Sequence, residues 1–232
     1  MKIALLGYGK MGKTIEGLAM QKGHSIVYKS TSTTEEGNFD KAELIIEFSS
    51  PEAAVKNISR ALEANIPVVS GSTGWLEKYD EMVSLCKSRN GSFLYASNFS
   101  VGVNLFFSIN EYVAKLMAPW KDYDVSVEEI HHLEKKDAPS GTAISLAEGI
   151  LKHSDKKRWE LDAYQKDVLN ITAKREVDVK GTHIVHYTSA IDSISLKHEA
   201  FSRDGFAKGA ILAGEWLKDK KGVFTMKDVL GI

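Results

Sequence analysis

Residues 128–143 read EEIHHLEKKDAPSGTA. Adjacent histidines (His131, His132), two lysines (Lys135, Lys136) and Asp137 fall within seven positions, followed by Pro139, Ser140, Gly141 and Thr142. Imidazole and ammonium groups are the side chains that most readily hand protons to a reacting ligand. The Pro-Ser-Gly-Thr run reads as a turn opening a helix. The first backbone N–H groups of a helix lack intrahelical partners and carry partial positive charge, a natural seat for a carboxylate. One segment thus offers acid/base side chains beside an anion cradle. Taken singly, its parts are equally an exposed lysine pair and an ordinary helix cap; the combination is what singles the segment out. Adjacent histidines on a strand point to opposite faces, so at most one enters a given pocket directly.

The elements that must hold this chemistry begin at the N-terminus. Residues 2–6, KIALL, read as a buried strand, followed at once by GYGKMG with Gly7, Gly9 and Gly12 in G-x-G-x-x-G spacing. From Lys13, apolar Ile15, Leu18 and Ala19 recur at helical spacing. Strand, glycine turn and helix form the context in which this motif holds a dinucleotide. Gly7 permits the tight turn, Gly9 lets the backbone approach a pyrophosphate, and Gly12 lets helix and strand pack closely.

Further strands are expected at His24–Tyr28, Glu43–Phe48, Ile66–Ser70 and Ser92–Ala96, with helices at Pro51–Ala64 and Glu77–Ser88. Each strand runs into a small or polar loop (FSS, SGSTG, ASNFS), and in an open parallel sheet such loops ring the ligand cleft.

Beyond Ser100 the texture changes. Val103–Met117 and Thr142–Leu151 read as helices and Tyr123–His132 as a strand, with a charged loop over Lys152–Lys157. Ile171–Val179, Gly181–Ala190 and Ser193–Phe201 read as strands in succession. Strands joined by short turns point to a mixed or antiparallel sheet rather than more βαβ units. Phe206–Leu217 returns to helix and is expected to pack back on the first domain. The expected fold is α/β: a Rossmann-like domain over residues 1–100, completed by 205–232, plus an α+β substrate and oligomerisation domain with a mixed sheet over 101–204. The chain would cross between them near Ser100–Val103 and Arg203–Phe206, where hinges are expected.

The chain has 232 residues, 43% hydrophobic and 26% charged, enough for a proper core in one or two domains. A formal net charge of −1 gives no basis for a nucleic-acid or membrane-surface partner. No apolar run approaches the ~18–20 residues of a membrane span, and Met1-Lys2 leads straight into the first strand, so a cytoplasmic protein without a leader is expected. The single cysteine, Cys86, excludes an intrachain disulfide and reads as a small buried hydrophobe. No metal is expected, because the histidine pair lacks the spacing and thiolate company of a zinc site.

Six segments together resemble the dihydrodipicolinate reductase family of lysine and diaminopimelate synthesis. They are GYGKMG (7–12), EFSSPEA (47–53), GSTGW (71–75), YASNFSVGVN (95–104), EEIHHLEKKDAPSGTA (128–143) and HEAFSRDGFAKGA (198–210), in family order along the whole chain. The resemblance implies NAD(P)H-dependent reduction of 4-hydroxy-tetrahydrodipicolinate, with loss of water and hydride transfer to ring C4. It makes His131 the acid/base residue and Lys135 the proton donor, with His132, Ser140, Gly141 and Thr142 on the substrate carboxylates. The dinucleotide would meet Gly7, Tyr8, Gly9, Lys10, Met11 and Gly12, then Gly71, Ser72 and Thr73, then Ala96, Ser97, Asn98 and Phe99. A homotetramer built through the substrate domain is also implied. Leu133 and Glu134 depart from the family pattern, where basic or polar residues are common, and weaken the local positive field; Ser97 replaces a small apolar residue. Another two-domain NAD(P)-dependent dehydrogenase and a non-catalytic NADPH-sensing module are the alternative readings.

Cofactor preference is read from the end of the second strand. NAD-selective folds place Asp or Glu there to bind the ribose 2′-OH. Here the run is Tyr28-Lys29-Ser30-Thr31-Ser32, with no carboxylate before Glu35. Lys29 and its hydroxyl neighbours suit a 2′-phosphate, so NADPH is expected to be preferred, with NADH also accepted.

Overall fold

The computed structural model describes every residue except Tyr164 and Arg203. The chain falls into two compact units, Met1–Val101 with Asp204–Ile232, and Gly102–Arg203. Arg203, which belongs to one of the expected crossings, lies outside the described residues.

In the first unit, β1 (Lys2–Leu6), β2 (Ser25–Ser30), β3 (Glu35–Gly37), β4 (Leu44–Glu47), β5 (Val68–Ser70) and β6 (Ser92–Tyr95) alternate with helices. The helices are α1 (Lys10–Gln21), α2 (Pro51–Glu63) and α3 (Tyr79–Ser88). After the second unit come α6 (Asp204–Leu217), β12 (Gly222–Phe224) and α7 (Met226–Leu230). The sheet order is β12-β6-β5-β4-β1-β2-β3, parallel throughout except for the β2–β3 pair. Both faces are covered, which is why the central strands are continuous apolar runs. Ile3, Leu5, Leu44, Ile46 and Val69 face one core, with Ile15 and Ala19 of α1 and Ala210 and Ala213 of α6. Ala4, Leu6, Ile45 and Val68 face the other, with Ile58 and Leu62 of α2 and Met82 of α3.

From β1 the chain moves to β2 on one side and later returns as β4 on the other. That reversal of strand order is the switch point at which open α/β sheets bind ligands, beyond the carboxyl ends of the strands. The glycine turn follows β1 and Phe48 follows β4, so both lie at this point.

The second unit holds α4 (Val101–Met117), β7 (Asp124–His132), α5 (Gly141–Leu151), β8 (Arg158–Leu161), β9 (Val168–Glu176), β10 (Thr182–Thr188) and β11 (Ser193–Glu199). Its sheet order is β11-β10-β7-β9-β8. β7 runs parallel to β9 and antiparallel to β10, so the sheet is mixed. Phe106 of α4 and Ala143, Leu146 and Ile150 of α5 bury against Val125, Val127 and Ile171 of this sheet.

Four elements were not expected from sequence: β3, β8, β12 and α7. The β3 segment, Glu35–Gly37, is wholly exposed and carries no apolar residue, so no pattern marks it. β12 has three residues and exists because Gly222–Phe224 pairs with Ser92–Leu94.

Candidate active site

Alternate residues of β7 enter the core: Val125, Val127, Glu129 and His131 are buried, and the residues between them less so. The inward row is apolar for its first half and turns ionisable at its carboxyl end. Two neighbouring strands complete the polar patch. His183 of β10 is the direct partner of Glu129, and Arg175 of β9 is the direct partner of His131.

The Glu129 carboxylate is fully buried. Both of its oxygens accept from the Ser140 backbone N–H, at 3.2 and 3.1 Å. Arg175 Nη1 lies 3.4 Å from Oε1, and Oε2 lies 3.5 Å from His131 Nε2 and 3.7 Å from His183 Nε2. The two imidazole Nε2 atoms are 3.3 Å apart. Burial alone would raise the Glu129 carboxyl, but its His131, His183 and Ser140 partners outweigh it and hold the group well below the usual carboxylate range. Burial also pushes the His183 imidazole below its ordinary value, against the pull of Glu129. Glu129 is therefore an anion, and His183 favours its neutral form.

The segment after β7 is pinned from this patch. Arg175 donates from Nε to the Lys135 carbonyl at 3.2 Å and from Nη2 to the Asp137 carbonyl at 2.6 Å. Lys135 Nζ donates to both Asp137 oxygens, at 2.8 and 2.7 Å. Ser140 is the N-cap of α5, its hydroxyl accepting from Ala143 N–H at 3.2 Å and lying 3.2 Å from His183 Nε2. Gly141 is exposed, with nothing within 4 Å of where a side chain would begin. The helix start therefore keeps open space above its first turn, as an anion cradle requires.

The sequence candidates separate here. His131 and Ser140 share the buried network, and Lys135 is tied to it through Arg175. His132 lies on the other face of β7. It lines an open groove of about 600 Å³ with Leu133 and Glu134 on one side and Val177, Asp178 and Lys180 on the other.

In the first unit, the turn after β1 is held to β2 by the Gly7 and Tyr8 N–H groups, which donate to the Ser30 carbonyl at 3.0 and 2.8 Å. Gly9 caps α1 with no side-chain bond, and the first turn carries no acid. An uncapped helix start at the switch point, with Lys10 and Lys13 beside it, has the donors a pyrophosphate needs. The other loops are organised by Glu47, buried at the end of β4. It accepts from the hydroxyls of Ser49, Ser70 and Ser72 at 2.5, 2.6 and 2.7 Å. The Ser72 side chain is thus engaged inward, while Gly71 and Thr73 are more accessible. Phe99 is also buried, so it can meet a cofactor only through its backbone; Ala96, Ser97 and Asn98 are more accessible.

Lys29 is not a lone cation. Its Nζ lies 3.2 Å from Glu16 of α1 and 4.6 Å from the Tyr8 ring centroid, and the Tyr8 hydroxyl also bonds Glu16. The carboxylate thought absent from this corner comes from the helix, not the strand. The hydrogen bond from Tyr8 holds the Glu16 carboxyl below its ordinary value against partial burial, with Lys29 adding to the effect.

Glu129, His183, Arg175 and Glu47 are the residues that sequence reading missed. Glu129 was detectable, because E-x-H on an alternating strand places both side chains on one face. His183 and Arg175 join only through strand register. Glu129, His131 and His183 each bring a ligand-type atom within 4.8 Å of the others.

The chain matches the dihydrodipicolinate reductase N-terminal family over residues 1–99 and its C-terminal counterpart over residues 102–230. It belongs to the dihydrodipicolinate reductase family. Within that family, a 4-hydroxy-tetrahydrodipicolinate reductase of Christiangramia forsetii is 52% identical over 99% of this chain and 98% of its own. One from Aquifex aeolicus is 40% identical over 82% of this chain and 74% of its own. Among solved structures, a dipicolinate-bound dihydrodipicolinate reductase from Paenisporosarcina sp. TG-14 superposes with a TM-score of 0.80, at 18% identity over 97% of both chains. An aspartate dehydrogenase from Thermotoga maritima superposes at 0.51, also with 18% identity, over 97% of this chain and 99% of its own. These superpositions establish a shared fold; the family match separates this chain from other dehydrogenases of that fold. Among the described residues, no helix is long and apolar enough to cross a membrane.

Proposed function

We propose that the chain reduces 4-hydroxy-tetrahydrodipicolinate to tetrahydrodipicolinate, with His131 as acid/base residue and Lys135 as proton donor. The observation that carries this is the single segment joining β7 to α5. It presents a histidine backed by a buried carboxylate, a lysine on a pinned loop and an open helix start. A dicarboxylate substrate needs cationic and N–H partners, for which His132 and Ser140–Thr142 have the right chemistry. A nicotinamide dinucleotide supplies the hydride; the protein supplies orientation and the proton. The 4-hydroxyl leaves as water to give a conjugated ring, and the electron density that hydride then pushes into it from C4 must be met by a proton, which Lys135 carries and His131 can exchange. For the dinucleotide, Gly7 through Gly12, Lys29, Gly71 to Thr73 and Ala96 to Phe99 are the proposed contacts, with Ser72 and Phe99 contributing main-chain atoms only.

NADPH is the proposed preferred coenzyme, with NADH also used, because Lys29 keeps N–H donors beyond the one spent on Glu16. The same assay tests activity and preference: oxidation of each reduced coenzyme when substrate is generated in situ from pyruvate and aspartate semialdehyde. Lys29→Glu should weaken NADPH binding roughly tenfold or more, the scale of a charged hydrogen bond at about 1.5–3 kcal/mol. Glu16→Gln should release Lys29 and widen the preference. A higher kcat/KM with NADH in the unmodified enzyme would sink the preference, and no turnover with either coenzyme would sink the activity.

A homotetramer is the proposed assembly. The edge strand β11 is supported on one side only, and Ile194 on it is exposed, so its free edge invites pairing. A light-scattering mass equal to the 25.6 kDa monomer at working concentration would overturn this.

A further inference from the structure

We infer that Glu129 and His183 are positioning residues, which hold His131 so that it exchanges its proton through Nδ1 rather than Nε2. This deepens the proposed function and rests on His131 being its acid/base residue.

The argument starts from what each nitrogen can do. His131 Nε2 faces inward, 3.3 Å from His183 Nε2 and 3.5 Å from Glu129. It is committed to the network and cannot also serve a ligand. The opposite edge of the ring lies along the main chain of Gly181: a Cβ there would stand 3.2 Å from His131 Cε1 and 3.4 Å from Nδ1. Any side chain at Gly181 would crowd that edge.

Burial decides the tautomer of His183. Its Nδ1 is buried with no hydrogen-bond partner. A lone pair left unpaired is tolerated better than a buried N–H left unpaired. Neutral His183 therefore carries its proton on Nε2, where Glu129, His131 Nε2 and Ser140 Oγ all lie within 3.7 Å. That proton goes to the Glu129 anion, the strongest of the three acceptors, and the His131 Nε2–H turns to the same carboxylate, so neutral His131 presents its Nδ1 lone pair for proton exchange. Glu129 holds the arrangement from behind. The same carboxylate accepts the Ser140 N–H, so one anion sets both the acid/base ring and the start of the carboxylate cradle. Catalytic imidazoles are commonly oriented in this way by a partner on the second nitrogen.

The test combines kinetics with nitrogen-15 NMR of the imidazoles. In the wild-type protein, the neutral His131 ring should show a protonated Nε2 and an unprotonated Nδ1. Glu129→Gln and His183→Phe should lower kcat roughly tenfold or more, within the roughly 10²–10⁴-fold that a positioned acid/base group supplies, while the Kd for NADPH stays unchanged. His183→Gln, which keeps an N–H donor in reach of Glu129, should recover part of the loss. A wild-type His131 protonated on Nδ1 alone overturns the inference, as does full kcat in both Glu129→Gln and His183→Phe. If neither variant folds, the wild-type spectrum decides alone. Loss of activity to a chelator with recovery on adding Zn²⁺ also overturns it, making the three groups metal ligands. His131→Ala, assayed alongside, keeps the two readings apart. Full activity there removes the proposed role of His131 itself, whereas its inactivity beside active Glu129 and His183 variants removes only the positioning.

Discussion

Lys135→Met is expected to lower kcat by roughly 10²–10⁴-fold, the range lost with a positioned proton donor, while leaving dinucleotide affinity unchanged. The ammonium group is held at 2.7 and 2.8 Å by the two Asp137 oxygens, and the backbone beneath it by Arg175. Methionine keeps much of the aliphatic stem and removes the transferable proton, so the loop survives and the donor does not. All dinucleotide candidates lie in the first unit and Lys135 in the second, which is why cofactor binding should be spared. His131→Ala should be comparably damaging to turnover. His132→Ala should raise KM more than it lowers kcat, because its groove-side position suits binding rather than proton transfer. Stopped-flow turnover and fluorescence titration of NADPH separate these effects. A Lys135→Met enzyme with near-normal kcat would remove Lys135 from the mechanism.

The second large effect concerns two glycines of one motif. Gly7→Ala should destabilise the fold strongly, whereas Gly9→Ala should fold normally and lose the cofactor. Gly7 has φ +99°, and a Cβ on it would stand 2.0 Å from the Phe48 carbonyl oxygen, an atom of the main chain that cannot turn aside. Left-handed backbone costs an alanine about 1–2 kcal/mol, and overpacking adds about 1–3 kcal/mol. For a protein of this size that sum lowers Tm by roughly 10 °C. Gly9 has φ −86°, which alanine adopts freely, and nothing within 4 Å of its Cβ position. Its Tm should stay within about 1 °C of wild type, as for other surface changes. The added methyl would occupy the space a pyrophosphate needs, so the Kd for NADPH should rise more than tenfold. Equal melting temperatures for both variants would show that Gly7 is not a packing constraint.

The contrast between these glycines shows what a sequence can carry. Spacing after a strand located the turn, but could not say which glycine answers to the fold and which to a ligand; that depends on Phe48 arriving from β4. Apolar runs such as ELIIEF were legible because strands covered on both faces are uniformly apolar, and the alternation of 123–132 revealed a strand covered on one. The charged and very short strands β3, β8 and β12 were not legible, because their pairing is decided by neighbours rather than by their own residues. The same holds for the site. His131, Lys135 and Ser140 lie close in sequence and were visible together. Arg175 and His183 lie far along the chain and reach His131 and Glu129 only through strand register. Lys29 was legible as a cation, but its engagement with Glu16 depends on how α1 lies against β2.

The route of the chain through its two units also sets an order of assembly. The second unit is one continuous stretch, so its strands exist together once the chain has been synthesised that far. The first unit is not: Ala210, Ile211, Ala213 and Leu217 of α6 complete the same core as Ile3 and Leu5. Its backbone at Gly209 sits so close to the Phe99 carbonyl that a Cβ would fall 1.7 Å away. During synthesis, part of one face of the first sheet therefore waits uncovered until α6 leaves the ribosome. The loop ending at Phe99 takes its final position only when that helix docks. The N-terminal strands of the first unit thus become competent only after the whole second unit has been made, and their exposure to proteases and to aggregation on the ribosome is governed by a helix synthesised more than a hundred residues later.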